Sequence, residues 1–201
     1  MGLDKIIISV VKQSFENHCI ILLLEAYNSS IKEKTYSADW MENDFTEMLD
    51  QYIEKNSKRL KWNIYNHTEQ HLHCESNIRK GFANEEKRID MRMSHIAFRK
   101  EYHFYIEAKR LREHDYALKK RYIETGIDNY IKYIYPKGIL VGYLQEGDVD
   151  NTIQGINDIL KQSHRVTESL FRKEHPIHNE YFESDHINYG IIQHFVLDYT
   201  V

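Results

Sequence analysis

The sequence contains few of the residues that interrupt or crosslink a chain. Its 201 residues include two prolines, eight glycines and two cysteines. Residues 3–80 hold neither glycine nor proline, which indicates long regular elements with few sharp turns. The two thiols, Cys19 and Cys74, form no disulfide framework, and a reducing compartment is the simpler interpretation. Cys19 lies in an apolar run that is typical of a helix, and we expect it to be buried.

The chain also lacks an excess of positive charge and a long apolar run. Its formal net charge is -4, so it has no global basic field that would favour nucleic acid, and such binding would need a local patch or a partner protein. The longest apolar run, Cys19–Leu24, is far shorter than the ~18 residues of a membrane span. The amino terminus does not have the layout of a signal peptide. We therefore expect a cytoplasmic protein without membrane contact.

The hydrophobic patterns predict helices and strands in one domain, residues 1–201. Four helices are predicted. The first covers residues 3–27, the second begins near Asp39, and the fourth begins near Val149. The third runs from Asp115 to Pro136, with a break or bend at Gly126. Predicted strands cover Leu60 to about His73, Lys87–Ile96, Tyr102–Leu111, Ile139–Leu144 and Tyr189–Val201, with a hairpin connection at residues 95–101 and surface loops at 172–188. This order predicts an α/β or α+β fold, a sheet covered by helices.

Three chemically active side chains fall on two neighbouring strands. Glu107 and Lys109 project from the same side of one strand, because strand faces alternate with a period of two. Asp90 lies on the preceding strand and can face Glu107 across the sheet. Two carboxylates, with the Ala108 carbonyl as a neutral oxygen, are suitable ligands for Mg²⁺ or Mn²⁺, and Lys109 can orient a water or stabilise charge on a phosphate. The competing interpretation is a solvent-exposed ion pair between Glu107 and Lys109.

The run Arg88-Ile89-Asp90, a short hairpin and Tyr105-Ile106-Glu107-Ala108-Lys109 resemble the core motif of the PD-(D/E)XK nuclease superfamily. The resemblance covers roughly residues 38–165, and Ile89 stands where the motif name has proline. It implies a restriction-endonuclease-like mixed sheet flanked by helices, with residues 1–36 as a helical extension and 37–201 as the nuclease core. The helix and strand after the motif, Tyr122–Ile127 and Gly138–Leu144, are similar to those of nucleases from bacterial phage-defence and restriction loci.

The resemblance implies a function and a set of site residues. It implies a Mg²⁺- or Mn²⁺-dependent endonuclease of anti-phage defence, with DNA as the expected nucleic-acid substrate. It also implies that the protein forms a homo-oligomer or works with a defence-system partner. Asp90, Glu107, Ala108 and Glu42 would bind the metal, and Lys109 would assist the water. Glu42 has a competing interpretation, since Asp39 and Glu42 have the spacing of a capping box. Glu47 is the reserve candidate. The alternative function is a non-catalytic or partner-gated subunit that uses the nuclease fold as a binding platform.

Further candidates surround this motif. Gln145 is a candidate for holding the water, and a basic cluster could contact phosphate: Arg110, Arg112, Lys119, Lys120 and Arg121. A zinc-stabilised binding module is a third hypothesis, with His67, His71, His73 and Cys74 as ligands, although their spacing matches no common zinc pattern. His186 and His194 are predicted either to contact nucleic acid or to line the last hairpin.

Overall fold

The structure is a computed structural model, and it describes residues 3–72 and 87–200. The α-helices are α1 (Leu3–Glu33), α2 (Glu42–Lys55), α3 (Ser57–Lys61), α4 (Tyr116–Arg121), α5 (Asp128–Ile131) and α6 (Val149–Gln162). A π-helical segment, Tyr122–Ile127, joins α4 to α5, and a 3₁₀ turn covers Val166–Glu168. The strands are β1 (Tyr65–His71), β2 (Arg88–Ala97), β3 (Lys100–Arg112), β4 (Gly138–Glu146), β5 (Phe171–Arg172), β6 (Tyr181–His186) and β7 (Gly190–Asp198).

Within the described residues, the seven strands form one mixed sheet in the order β1-β2-β3-β4-β7-β6-β5. The strand β4 is parallel to both of its neighbours, β3 and β7, and the other pairs are antiparallel. A strand in this central position is buried on both faces, which explains the nearly continuous apolar sequence of Ile139–Leu144. The predicted class, a mixed α/β sheet flanked by helices, is confirmed.

Two hydrophobic clusters lie on the two faces of the sheet. Side chains alternate along β4, so that Val141 and Tyr143 join the cluster under α1 and α2, whereas Leu140 and Leu144 join the cluster under the π-helical segment and α6. From Phe15 onward, α1 contributes to the first cluster. Most of the predicted helical extension is therefore packed into the same core as the sheet.

The helix α1 is longer than predicted, and it bears on the expectation about membranes. Its stretch Ile6–Glu33 is long and apolar enough to span a membrane by length and composition, although the single longest apolar run is short. The same stretch carries fully buried core residues, Cys19 and Leu22 among them, that contact the sheet in this structure. Cytoplasmic localisation without membrane contact stays a prediction.

Several predicted boundaries are corrected. The segment 172–188 includes loops, as predicted, and it also contains the strand β6. The β2–β3 connection is tighter than residues 95–101, since the strands pair as far as Ala97 and Lys100 and leave a two-residue turn at Phe98 and Arg99 with positive φ. The strand predicted from Leu60 begins only at Tyr65, because α3 occupies Ser57–Lys61.

Candidate active site

The site lies where β3 separates from β2. The antiparallel ladder between these strands runs from Ala97 opposite Lys100 to Met91 opposite Ile106. Past that point the backbone N–H of Ala108 donates to Asp90 Oδ2 at 2.7 Å, and the N–H of Arg110 donates to Glu42 Oε2 at 3.2 Å. Two carboxylates thus replace the missing strand as hydrogen-bond acceptors, and this draws Asp90 and Glu42 to the edge of β3.

The ammonium of Lys109 lies among four oxygen atoms. Its Nζ is 2.5 Å from Glu107 Oε1, 2.6 Å from the Ala108 carbonyl oxygen, 3.2 Å from Glu42 Oε1 and 3.8 Å from Asp90 Oδ2. Glu107 and Lys109 are each only 3% exposed. They are therefore not a solvent-facing ion pair, and the structure brings all five residues predicted for the metal site and its lysine into one cluster, the carboxylate cluster.

Burial sets the electrostatics of this cluster. It raises the pKa of Glu107 to about 8, an effect that the nearby charge of Asp90 reinforces and that the Lys109 ammonium opposes. Burial also raises the pKa of Asp90, against the attraction of Lys109. For Lys109 burial acts to lower the pKa, but the carboxylates of Glu107, Asp90 and Glu42 outweigh it and raise the pKa above its ordinary value. The amine is therefore a cation at neutral pH.

The two oxygens of Glu107 differ in their surroundings. Oε1 accepts hydrogen bonds from Lys109 and from the hydroxyl of Tyr135, which is 3.1 Å away. Oε2 is buried and receives no hydrogen bond from an N–H or hydroxyl group of the described residues. A buried carboxylate oxygen without a donor is costly, because desolvation is not compensated. Such an oxygen is suited to receive a cation.

Glu42 joins the cluster as the first residue of α2 rather than as part of a capping box with Asp39. The helix begins two residues later than that box requires, and the N–H of Met41 instead donates to Asp44 Oδ2 at 2.7 Å. Glu42 also accepts from Arg121 Nη2 at 2.9 Å. Three carboxyl groups therefore surround the ammonium of Lys109, and one of them also contacts the guanidinium of Arg121.

Gln145 supports the segment that precedes α2. Its Nε2 donates to the carbonyl oxygens of Ala38 at 3.0 Å and Trp40 at 2.8 Å. Arg112 donates to the same Ala38 carbonyl at 3.1 Å. These bonds hold the start of α2, and with it Glu42, against the sheet. Gln145 thus uses its amide nitrogen to anchor backbone, and among the described residues no hydrogen bond joins it to the carboxylate cluster.

Solvent reaches the cluster from the side of α2 and β1. A cavity of about 300 Å³ opens between these elements, and its lining includes Asp90, Glu47, Glu69 and Thr68. Glu47 lines this cavity and accepts a long hydrogen bond of 3.4 Å from Thr68, so the reserve candidate lies outside the carboxylate cluster. A larger cavity of about 790 Å³ lies at residues 172–179 and includes none of the predicted site residues.

The predicted basic cluster contributes one residue to the site. Arg121 contacts Glu42, whereas Lys120 pairs with Glu124 at 3.5 Å and Lys119 donates to the carbonyl of Glu113. The two other members, Arg110 and Arg112, lie on β3 with their side chains partly buried. The five basic residues therefore do not form one continuous phosphate-binding surface next to the carboxylate cluster.

The zinc hypothesis stays untested, because His73 and Cys74 lie outside the described residues. In the ranges 3–72 and 87–200, no group of three or more His, Cys, Asp or Glu side chains is arranged as a ready metal site. Around β3 the reason is visible: the carboxylates of Glu42, Asp90 and Glu107 each contact N–H or ammonium donors.

A second polar network, which sequence analysis did not predict, lies in the core. His194 Nδ1 is 2.9 Å from the hydroxyl of Tyr122, and its Nε2 is 2.8 Å from Ser184 Oγ. Ser184 Oγ is also 2.7 Å from His186 Nε2, and His186 Nδ1 is 2.7 Å from Glu168 Oε2. The order Glu168, His186, Ser184 is that of a hydrolase triad, but Ser184 is only 1% exposed, so no substrate reaches it.

The network also decides between the two predictions for His186 and His194. Both are buried in the β6–β7 hairpin, so they line this hairpin and do not face nucleic acid. The signal that could have revealed β6 is the pair Tyr181-Phe182, two strand-forming aromatic residues, shortly before the next apolar alternation.

Comparison of the chain with models of known protein families, with curated proteins and with solved structures gives no match. The functional conclusion therefore depends on the geometry of the carboxylate cluster.

Proposed function

We propose that the protein is a Mg²⁺- or Mn²⁺-dependent nuclease of restriction-endonuclease-like fold. It hydrolyses phosphodiester bonds of nucleic acid, and DNA is the expected substrate. The observation that carries the proposal is the convergence of Glu42, Asp90, Glu107 and the Ala108 carbonyl on one buried positive charge, that of Lys109. The three central parallel strands, β3, β4 and β7, with antiparallel strands on either side and helices on both faces, agree with the proposed fold.

The residues of the cluster fit a divalent cation. The Oε2 atom of Glu107 is a buried acceptor without a donor, and a bound cation would favour the ionised form of this carboxyl, whose pKa burial raises. Oxygen atoms of carboxylates and carbonyls are the ligands that Mg²⁺ prefers. Glu107, Asp90 and the Ala108 carbonyl would hold the ion, with Glu42 completing the set. When bound, the ion supplies Lewis-acid polarisation of the scissile phosphate.

Lys109 has a defined role in this scheme. Because its pKa is raised, it stays protonated and is poorly suited to remove a proton from water. Its N–H groups instead donate to the phosphate oxygens on which negative charge develops, and they orient the attacking water. Arg121, which is half-exposed and already contacts Glu42, is placed to balance charge at the border of the site.

The proposal is tested by cleavage of linear and single-stranded DNA and of RNA with Mg²⁺, Mn²⁺ or EDTA. Asp90→Asn and Glu107→Gln, which keep side-chain size, should each reduce the cleavage rate at least ~100-fold, because a cation ligand loses its charge. Glu124→Gln is the control, since Glu124 lies in an exposed pair with Lys120. Full activity of both site variants would show that the assignment is wrong.

A specific observation favours the second candidate, a partner-gated subunit of a defence complex. The outer end of α1 exposes Ile6, Ile7 and Val10, which are 50%, 41% and 60% exposed. Exposed apolar groups on a chain of net charge -4 are more typical of a protein-binding surface than of a free-standing nucleic-acid-binding one. An inactive wild-type protein that gains metal-dependent cleavage with a defence-system partner supports this candidate. Light scattering of the purified chain tests the expected homo-oligomer.

A further inference from the structure

A tyrosine outside the motif contacts the carboxylate cluster. Tyr135 lies between α5 and β4, far from Glu107 in sequence, and its hydroxyl donates to Glu107 Oε1 at 3.1 Å. The side chain is 7% exposed. A tyrosine hydroxyl keeps its proton at neutral pH, so this phenol is a hydrogen-bond donor to Glu107.

The position of this phenol is fixed by its own surroundings. The ring of Tyr135 packs edge-to-face on that of Tyr130, with centroids 5.6 Å apart. Tyr130 is fully buried, and its hydroxyl donates to the carbonyl of Ile139 in β4 at 2.8 Å. The backbone N–H of Tyr135 donates to the carbonyl of Asn129 at 3.1 Å. The hydroxyl is thus presented to Glu107 by a rigid support on the central strand.

Two donors on one oxygen orient the whole carboxylate. Tyr135 and Lys109 both donate to Oε1 of Glu107, whereas Oε2 receives no hydrogen bond from an N–H or hydroxyl group of the described residues. If Lys109 were the only donor, it could follow either oxygen, because its side chain is long and flexible. The Tyr135 hydroxyl, which is held by its rigid support, distinguishes the two oxygens.

We propose that Tyr135 is a positioning residue: it fixes Oε1 of Glu107 so that Oε2 is the oxygen presented to the divalent cation. The inference rests on the cation site of the proposed function. Outer hydrogen bonds of this kind orient ligands and contribute about 10- to 100-fold to metal affinity.

Cation binding to the full chain, rather than cleavage, tests this role. Mn²⁺ affinity is measured by electron paramagnetic resonance for the wild type, Tyr135→Phe and Tyr122→Phe. Tyr135→Phe removes only the hydroxyl, and we expect its Mn²⁺ affinity to fall about tenfold. Tyr122→Phe is the matched control, because it removes a buried hydroxyl that contacts His194 and not Glu107. Its affinity should stay within about twofold of the wild type.

Two further measurements separate positioning from a general loss of structure. In a Glu107→Gln background, Tyr135→Phe should cause no additional loss of Mn²⁺ affinity, since the two residues act through one contact. Tyr135→His, which keeps a ring N–H, should retain more affinity than Tyr135→Phe. Thermal unfolding followed by circular dichroism verifies that each variant is folded.

The outcomes distinguish this inference from the proposed function. Equal Mn²⁺ affinity of the wild type and Tyr135→Phe overturns the positioning role, and so does an equal loss in Tyr122→Phe. A wild type that binds no Mn²⁺ overturns it together with the cation site. A wild type that binds Mn²⁺ with the expected dependence on Tyr135, but cuts no nucleic acid, supports the inference and contradicts the nuclease proposal.

Discussion

At the scale of single residues, the carboxylate cluster explains why charged side chains occupy the interior. Glu107 and Lys109 are nearly inaccessible, and a buried charge is tolerated only where partners satisfy it. Lys109 has its partners in Glu107, Glu42 and the Ala108 carbonyl. Removing one partner of such a set is costly, so changes in this cluster should affect stability as well as chemistry.

Glu42 and Glu47 offer a direct comparison between a member of the cluster and a near neighbour on the same helix. Glu42→Gln removes a charge that contacts Lys109 and Arg121, and we expect it to weaken Mn²⁺ binding roughly tenfold because the site loses negative charge. Glu47→Gln changes an exposed residue that contacts only Thr68 among the hydrogen bonds of the described chain, and its effect should be under about twofold. Isothermal titration measures both. A larger effect for Glu47 would assign the third carboxylate to the wrong residue.

The same scale shows what the sequence could and could not predict of the site. The strand period places Glu107 and Lys109 on one side of their strand. Asp90, an acidic residue on the neighbouring strand, can then be predicted as their partner. The role of Tyr135 depends on where β4 begins and on the path of the chain between the π-helical segment and this strand. The support by Gln145 depends on the loop before α2. Such contacts between distant segments have no local signal in the chain.

At the scale of elements, the pairing of β3 with β4 positions the site. Gly138 opens β4 opposite Tyr105, two residues before Glu107. A Cβ at Gly138 would lie 2.1 Å from the Tyr105 carbonyl oxygen, a backbone atom that cannot move without displacing β3. The absence of a side chain at this position thus permits the close approach of the two central strands.

Gly138→Ala should therefore destabilise the fold by roughly 2–4 kcal/mol, since the clash must be relieved by separating β4 from β3. Gly155→Ala is the matched control within α6. Its Cβ would meet only the end of the Lys119 side chain, at 2.7 Å from Nζ, and alanine is favoured over glycine inside a helix by about 1 kcal/mol. Chemical denaturation of both variants checks the difference. Equal stability of the two variants would contradict the account of the β3–β4 contact.

The elements that sequence analysis predicted well are those with a clear period. The helices α1, α2 and α6 and the strands β2, β3, β4 and β7 have uninterrupted apolar patterns, and each exists in the structure. Asp39 and Glu42 suggested a cap, yet α2 begins at Glu42, because bonds from Gln145 hold the residues before it in a non-helical path. Gly126 is predicted to break or bend a helix. Around it the chain forms a π-helical segment, and a Cβ at this position would lie only 3.0 Å from Leu140 Cδ2.

At the scale of the whole molecule, the two polar networks lie in different parts of one sheet and have different consequences. The network around His194 joins the π-helical segment to the β6–β7 hairpin and holds a histidine that is completely buried. Burial lowers the pKa of His194 from 6.5 to about 3, with a smaller contribution from the charge of His186. The folded protein therefore keeps this ring neutral where the unfolded chain would protonate it.

The free energy of unfolding should accordingly fall as the pH decreases from 6.5 toward 3, because the unfolded chain binds more protons over this interval. With about 1.4 kcal/mol per pKa unit, the total loss is several kcal/mol. His194→Asn cannot be protonated, so it should be less stable at pH 7 but lose less stability on acidification. His164→Asn, at an exposed turn, is the control and should keep the wild-type dependence. Urea denaturation at several pH values provides the test, and an unchanged slope in His194→Asn would contradict this account.

The proposed metal-dependent nuclease activity is tested most directly by nicking of supercoiled plasmid by the wild type and by Lys109→Met. Mn²⁺ binding is measured on the same samples. Lys120→Met is the control, since Lys120 lies in an exposed pair. The nuclease proposal predicts that the wild type nicks DNA with Mg²⁺ or Mn²⁺ and not with EDTA. It also predicts that Lys109→Met still binds Mn²⁺ but nicks at least ~100-fold more slowly, because it lacks the ammonium that stabilises developing charge. Nicking by Lys109→Met at the wild-type rate, or wild-type nicking that EDTA does not stop, would contradict it.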